Sequence, residues 1–180
     1  MLTTSPSLLE RVRRPDDRES WQRFVQLYTP LLFHWARRAG VQDAEDLVQD
    51  VFAVLVKELP RFQYDASRNF RAWLKTILMN ILRKQFRQAA AGPLVVDVPA
   101  SDPVIDLENE EYRQLLLTRA LELMQTDFAE KTWKSFWECE VNGRAAAEVA
   151  QDLGLSVGAV WVNKARVLAR LRAELAGLLH

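Results

Sequence analysis

Asn163, Arg166 and Arg170 recur three and four residues apart in the stretch VWVNKARVLARLR, a spacing that sets one amide and two guanidinium groups along one side of a helix. An amide and a guanidinium carry the fixed donor and acceptor patterns that pair with base edges in a DNA major groove, and guanidinium groups also bracket phosphates. The chemistry such a row does is recognition rather than bond making. Ala159 stands one turn before Asn163 and keeps the leading end of the helix slim enough to enter a groove. Arg172 lies further along and is expected on phosphate. On the opposite side Val157, Val160, Trp161, Val167, Leu168, Leu171 and Leu175 form an apolar stripe expected to dock on a preceding helix. Lys164 falls inside that stripe, so its stem is expected to pack while its ammonium reaches outward.

The stretch that must position this helix is AAAEVAQDLGLS, from Ala145 to Ser156. Ala146, Val149, Ala150 and Leu153 share one face of a first helix, and Ala150 is small where a second helix has to cross closely. Gly154 supplies the positive φ that ends a helix, Leu155 packs back under the turn, and the Ser156 hydroxyl caps the next helix. Two helices joined by so tight a turn are a helix-turn-helix, which puts its second helix in the major groove. A plain packing hairpin with solvated arginines fits the same pattern less fully.

Two further rows stand elsewhere in the chain. After a capping Asp43, residues Glu45, Asp46, Gln49 and Asp50 share an arc opposite Leu47, Val48, Val51, Phe52, Leu55 and Leu59. Carboxylates in a first turn are favoured by the helix dipole and belong on a solvated face, and the same arc also suits docking on a basic partner. Along a later helix Trp73, Thr76, Asn80, Arg83, Lys84 and Arg87 run beside a core stripe of Phe70, Leu74, Ile77, Leu78 and Ile81. With Phe62 and Tyr64 nearby, this mixture of cations and aromatic rings suits single-stranded nucleic acid, although buried aromatics more often serve the core.

Composition narrows the classes. The 180 residues carry 24 Lys+Arg and 24 Asp+Glu, a net charge of zero, so affinity for a polyanion has to come from local clusters. One cysteine, Cys139, excludes an internal disulfide, and with His34 and His180 it makes no metal-ligand cluster. No catalytic spacing of His, Cys, Ser and carboxylate occurs and no glycine-rich phosphate loop, so an enzyme is the least expected class and no cofactor is expected. MLTTSPSLLERVRR lacks the apolar core of a signal peptide and no run reaches the length of a membrane span, which leads to a cytoplasmic expectation.

In chain order, Ser7 is expected to cap a short helix over Leu8 to Arg13. A longer helix starts near Asp16 or Asp17, buries Trp21, Phe24, Val25 and Tyr28, meets Pro30 as a kink or a new first turn, and resumes with Leu31, Leu32, Trp35 and Ala36 until Gly40. The acidic-arc helix runs from Asp43 to about Glu58, Arg61 to Asn69 read as a loop, and the basic-strip helix spans about Phe70 to Gln88. Residues 89–106, with three prolines and a glycine, read as a linker. A helix over about Leu107 to Gln125 and an aromatic one with Phe128, Trp133, Phe136 and Trp137 then lead into the helix-turn-helix. The expected fold is all-α: a domain over 1–88, the linker, and a second domain over 107–180.

The run Asp43-Ala44-Glu45-Asp46-Leu47-Val48-Gln49-Asp50-Val51-Phe52 closely resembles the core-polymerase-binding segment of bacterial RNA polymerase sigma factors of the two-domain, sigma-70-like, extracytoplasmic-function class. The resemblance continues through Phe70-Arg71-Ala72-Trp73-Leu74 and Asn80, and resumes in Glu148-Val149-Ala150 and Ser156-Val157-Gly158-Ala159-Val160, so it touches both domains. It implies that Glu45, Asp46, Gln49 and Asp50 meet the clamp helices of core RNA polymerase. It implies that Tyr64, Ser67, Asn69, Trp73, Thr76, Asn80, Arg83, Lys84 and Arg87 hold melted minus-10 DNA. It further implies that Ser156, Val157, Ala159, Asn163, Lys164, Arg166, Arg170 and Arg172 serve minus-35 recognition, that the second domain also touches the polymerase flap, and it leaves room for an anti-sigma factor. The chain departs from the family pattern at Lys84, where an acidic residue is common, at Trp161, where a basic one is common, and at Lys164, where an apolar one is common. A stand-alone helix-turn-helix regulator with a sensing or dimerising first half, and a helical protein-binding adaptor, are the alternative readings.

Overall fold

A computed structural model describes residues 7–63, 69–90 and 109–179. They form eight α-helices and no strand: α1 (Leu8–Val12), α2 (Arg18–Arg38), α3 (Ala44–Glu58), α4 (Phe70–Ala90), α5 (Asn109–Met124), α6 (Glu130–Phe136), α7 (Ala146–Leu153) and α8 (Val157–Leu175). Tyr64 and Ser67 lie outside the described residues, as does the expected linker from residue 91 to 106. The described chain divides into two compact units, Leu8–Leu116 together with 177–179, and Leu117–Ala176.

In the first unit α2 packs on α1 and α3, and α3 on α4. The Asp17 carboxylate starts α2 by accepting the Ser20 N–H at 2.9 Å. The helix runs unbroken through Pro30, where a kink or restart was expected, and it buries Phe24, Leu27, Tyr28, Leu31, Leu32, Trp35 and Ala36. Trp21 and Val25, expected in the buried face, are only half-buried, because the period that carries Phe24, Leu31 and Trp35 inward leaves them at its edge. Phe70 opens α4 inside an aromatic array: its ring meets Phe24 at 5.9 Å, Tyr28 at 5.7 Å and Phe62 at 5.6 Å. Leu74, Leu78 and Leu82 continue its buried row. Ile77 and Ile81, expected in that row, are half-buried, since the inward line of α4 follows four-residue steps from Phe70.

The first turns of α5, which the sequence assigns to the second domain, pack with α2. Tyr112 is buried, stacks on Trp35 at 5.9 Å, and donates its hydroxyl to the Leu178 carbonyl at 2.8 Å. That uses its proton, so the Tyr28 hydroxyl, 2.9 Å away, donates to Tyr112. The result is a buried three-member chain from Tyr28 through Tyr112 to the Leu178 carbonyl.

In the second unit α6, α7 and α8 pack pairwise. Met124, Trp133, Phe136 and Val167 form one buried cluster with Leu121, Phe128, Leu168 and Leu171 against it. Val149, Ala150 and Val160 form another, with Ala146, Leu153 and Leu155 against it. A π-helical turn, Trp137–Val141, follows α6. Arg144 reaches back to Glu138 at 3.3 Å and forward to Asp152, so one guanidinium ties that turn to α7.

Burial, ahead of the neighbouring tyrosine, holds the Tyr28 phenol well above its ordinary value of 10.0. Burial also raises Tyr112, against smaller opposing effects of the Tyr28 hydrogen bond and the Arg71 charge. A phenol raised by folding contributes stability that is fully present below pH 10 and is lost as pH rises through its folded value. Helicity of the full chain should therefore hold to about pH 10 and fall above it, with the phenolate absorbance of Tyr28 and Tyr112 appearing together with that loss; early titration at constant helicity would contradict their burial. Tyr112→Phe leaves both the Tyr28 hydroxyl and the Leu178 carbonyl short of a partner and should lower stability by about 1–3 kcal/mol, read as a lower urea midpoint.

Candidate nucleic-acid and protein interfaces

The acidic arc is built by the cap and core of α3. Asp43 accepts the Asp46 N–H at 3.2 Å, and Leu47, Val48, Val51 and Leu55 turn inward. Glu45, Asp46, Gln49 and Asp50 are thereby all exposed on the other side, together as the spacing predicts. The arc does not end with the carboxylates. Ala53 and Val56 carry it onward in exposed positions, Val56 at 55%. The three- and four-residue step from Gln49 through Ala53 to Val56 is visible in the sequence, but attention to charge alone passes over it.

Beside the arc, α4 starts where Asn69 accepts the Ala72 N–H at 2.7 Å. Asn69, Thr76, Asn80, Arg83, Lys84 and Arg87 are exposed, so the polar strip stands on one side of the helix. Trp73 differs from them. It is half-buried, with its ring 4.6 Å from Phe62 and 5.6 Å from Phe70, which makes it the rim of the core array. Its remaining surface lines a cleft of about 280 Å³ with Glu58, Arg61, Phe62 and Gln63. Gln85 donates to Asp50 at 3.2 Å, so the acidic arc and the polar strip sit on two helices held directly to each other.

The third surface is α8 behind its turn. Gly154 takes φ +62, a left-handed conformation that side chains rarely adopt, and the Leu155 N–H returns to the Ala150 carbonyl at 2.9 Å. Ser156 caps α8 by accepting the Ala159 N–H at 3.1 Å. Up to this point the sequence and the structure agree.

The rotation of α8 about its own axis is different from the expected one. Val160 and Val167 point inward, whereas Val157 and Trp161, expected in the docking stripe, are exposed. Asn163, expected on the outer side, is half-buried and its amide donates to the Ser135 hydroxyl of α6 at 3.3 Å. Ala159 is likewise half-buried. Lys164 does not reach free into solvent: its ammonium pairs with Glu140 at 2.7 Å and lies 4.1 Å from the centre of the Trp161 ring. The outward side thus consists of Val157, Gly158, Trp161, Val162, Ala165, Arg166, Ala169 and Arg172, with Arg170 at its edge, paired to the buried Glu174 at 3.7 Å. The face is turned by about a quarter of a turn from the one that counting apolar residues selects. The physical reason is that burying Val160 and Val167 against two clusters, while satisfying the Asn163 amide, outweighs burying Trp161.

Residues 24–91 match the family described as sigma-70 region 2, a span that contains both α3 and the α4 strip. The ECF RNA polymerase sigma factor SigM of Mycobacterium tuberculosis (strain H37Rv) is 30% identical over 141 residues, covering 77% of this chain and 67% of that protein. The ECF RNA polymerase sigma factor ShbA of Streptomyces griseus is 32% identical over 141 residues, covering 72% of this chain and 70% of its own length. With the acidic arc and polar strip inside the matched region, and with alignments that run well beyond it, the chain belongs to the extracytoplasmic-function RNA polymerase sigma factors.

Proposed function

We propose that this sigma factor binds core RNA polymerase through the α3 arc, holds melted minus-10 DNA along α4, and brings the α7–α8 helix-turn-helix to the minus-35 element as duplex. The observation that carries the reading is the union of two unlike surfaces on one helix pair. Glu45, Asp46, Gln49 and Asp50 form an acidic docking face for a basic partner, where complementary charge sets orientation and on-rate. Asn80, Arg83, Lys84 and Arg87 offer amide and cationic groups to a nucleic-acid backbone on the neighbouring helix. Because Gln85 and Asp50 join the helices, a DNA strand on α4 takes a fixed position relative to a polymerase held on α3. Such fixed placement is what selecting a start site requires. Val56 adds an apolar anchor at the end of the arc, where charge alone gives little affinity.

Charge reversal at Asp46 and Asp50 together should weaken core binding by about 2–5 kcal/mol, measured as competition for core polymerase, with helicity retained because neither side chain is in the core. Normal competition by the double variant would rule out the arc as the docking face. Because the net charge is zero, the chain without polymerase should bind promoter DNA weakly, losing about 0.9 log units of affinity per log unit of salt for each phosphate contacted. Tight, salt-insensitive binding in a filter or fluorescence titration would contradict that.

A further inference from the structure

We propose that the outward side of α8 recognises its promoter element through thymine methyl groups, with Trp161 and Val162 as the specificity-determining side chains. This rests on the reading of α7 and α8 as the minus-35-binding pair.

The first two turns of α8 expose large apolar side chains on one side: Val157 at 44%, Trp161 at 53% and Val162 at 58%. Ala165 and Ala169 extend the same side without polar atoms, and at Gly158 a Cβ would meet nothing closer than the Ser156 hydroxyl at 4.0 Å. Apolar groups gathered in water on one side of a helix mark a contact surface. The polar groups of these turns that pair with base edges are engaged inside the unit, Asn163 with Ser135 and Lys164 with Glu140. Lys164 also lies over the Trp161 ring, a contact that favours one orientation of the indole.

What this side offers a base pair is contact without hydrogen bonds. In the major groove the only apolar feature is the C5-methyl of thymine, while every other edge is a donor or an acceptor. An apolar side chain set against those edges removes their water and returns no partner. The surface therefore favours A·T pairs whose methyl faces Trp161 or Val162, and it rejects G·C pairs there. Charge commits it to nucleic acid. Arg166 borders the apolar side and makes no ion pair among the described residues, and Arg172 stands exposed further along, both placed for phosphates that flank a groove.

The test uses holoenzyme assembled from the full chain and core polymerase. A minus-35 duplex library is selected for promoter-complex formation, and each thymine of the selected element is then replaced by uracil, which removes one methyl and keeps every hydrogen-bonding edge. The expected result is a loss of about fourfold per contacted methyl at one or two neighbouring positions, with the thymine-over-uracil preference abolished at one position by Val162→Ala and at another by Trp161→Ala. Both side chains are exposed, so both variants should keep native helicity. Uracil tolerated throughout an element whose scrambling still abolishes complex formation would overturn the methyl reading and leave the minus-35 assignment standing. If scrambling has no effect, the assignment and the proposal fall together. Weakened core binding by Trp161→Ala with thymine preference unchanged would make this a protein contact and also overturn the proposal.

Discussion

A helix in a small domain can bury only one side, and the choice of side decides what every other residue on it is able to do. In α4 the choice is made by Phe70, whose ring sits among Phe24, Tyr28 and Phe62 at the start of the helix. Once Phe70 is seated, Leu74, Leu78 and Leu82 must follow it inward, and Asn80, Arg83, Lys84 and Arg87 are left together on the outside. The polar strip is a consequence of the aromatic array. Removing a ring from such an array costs about 3–5 kcal/mol, which is a large share of the stability of a domain this size.

Electrostatics act here by allocation rather than by total charge. With equal numbers of acidic and basic side chains, the chain spends several cations inside its own units. Arg144 is held among Glu138, Glu148 and Asp152, Lys164 by Glu140, and Arg38 by Glu111. These partly exposed pairs contribute little to stability individually. Their larger effect is to neutralise those cations locally, whereas Lys84 of α4 and Arg166 of α8 are exposed and make no ion pair among the described residues.

The three-member chain from Tyr28 through Tyr112 to Leu178 has a different role. It satisfies two hydroxyls and a carbonyl in a place with no access to water, and it draws residues far apart in sequence into the first unit. A buried network of this kind is stabilising only when every member is paired, and specific for that reason.

Much of this was legible in the sequence. The helices, the Asp43 and Ser156 caps, the Gly154 turn and the acidic arc all follow from local chemistry, because a cap, a turn glycine and a three- and four-residue period each involve neighbours in the chain. The α4 strip was legible for the same reason, apart from Trp73, whose ring proved to belong half to the core. The rotation of α8 was not. The stripe read from its sequence takes in Val157, Val160, Trp161 and Val167 together, and periodicity does not say which of them turn inward. That choice came from groups distant in the chain: Ser135 accepting the Asn163 amide, Glu140 taking Lys164, and the clusters around Trp133 and Val149 receiving Val167 and Val160. Tyr112 and Leu178 were invisible in the same way, since nothing local marks a tyrosine as the partner of another or of a carbonyl 66 residues away. Sequence determined which surfaces exist; tertiary packing decided which side of α8 faces outward, because only the assembled unit weighs one buried side against another.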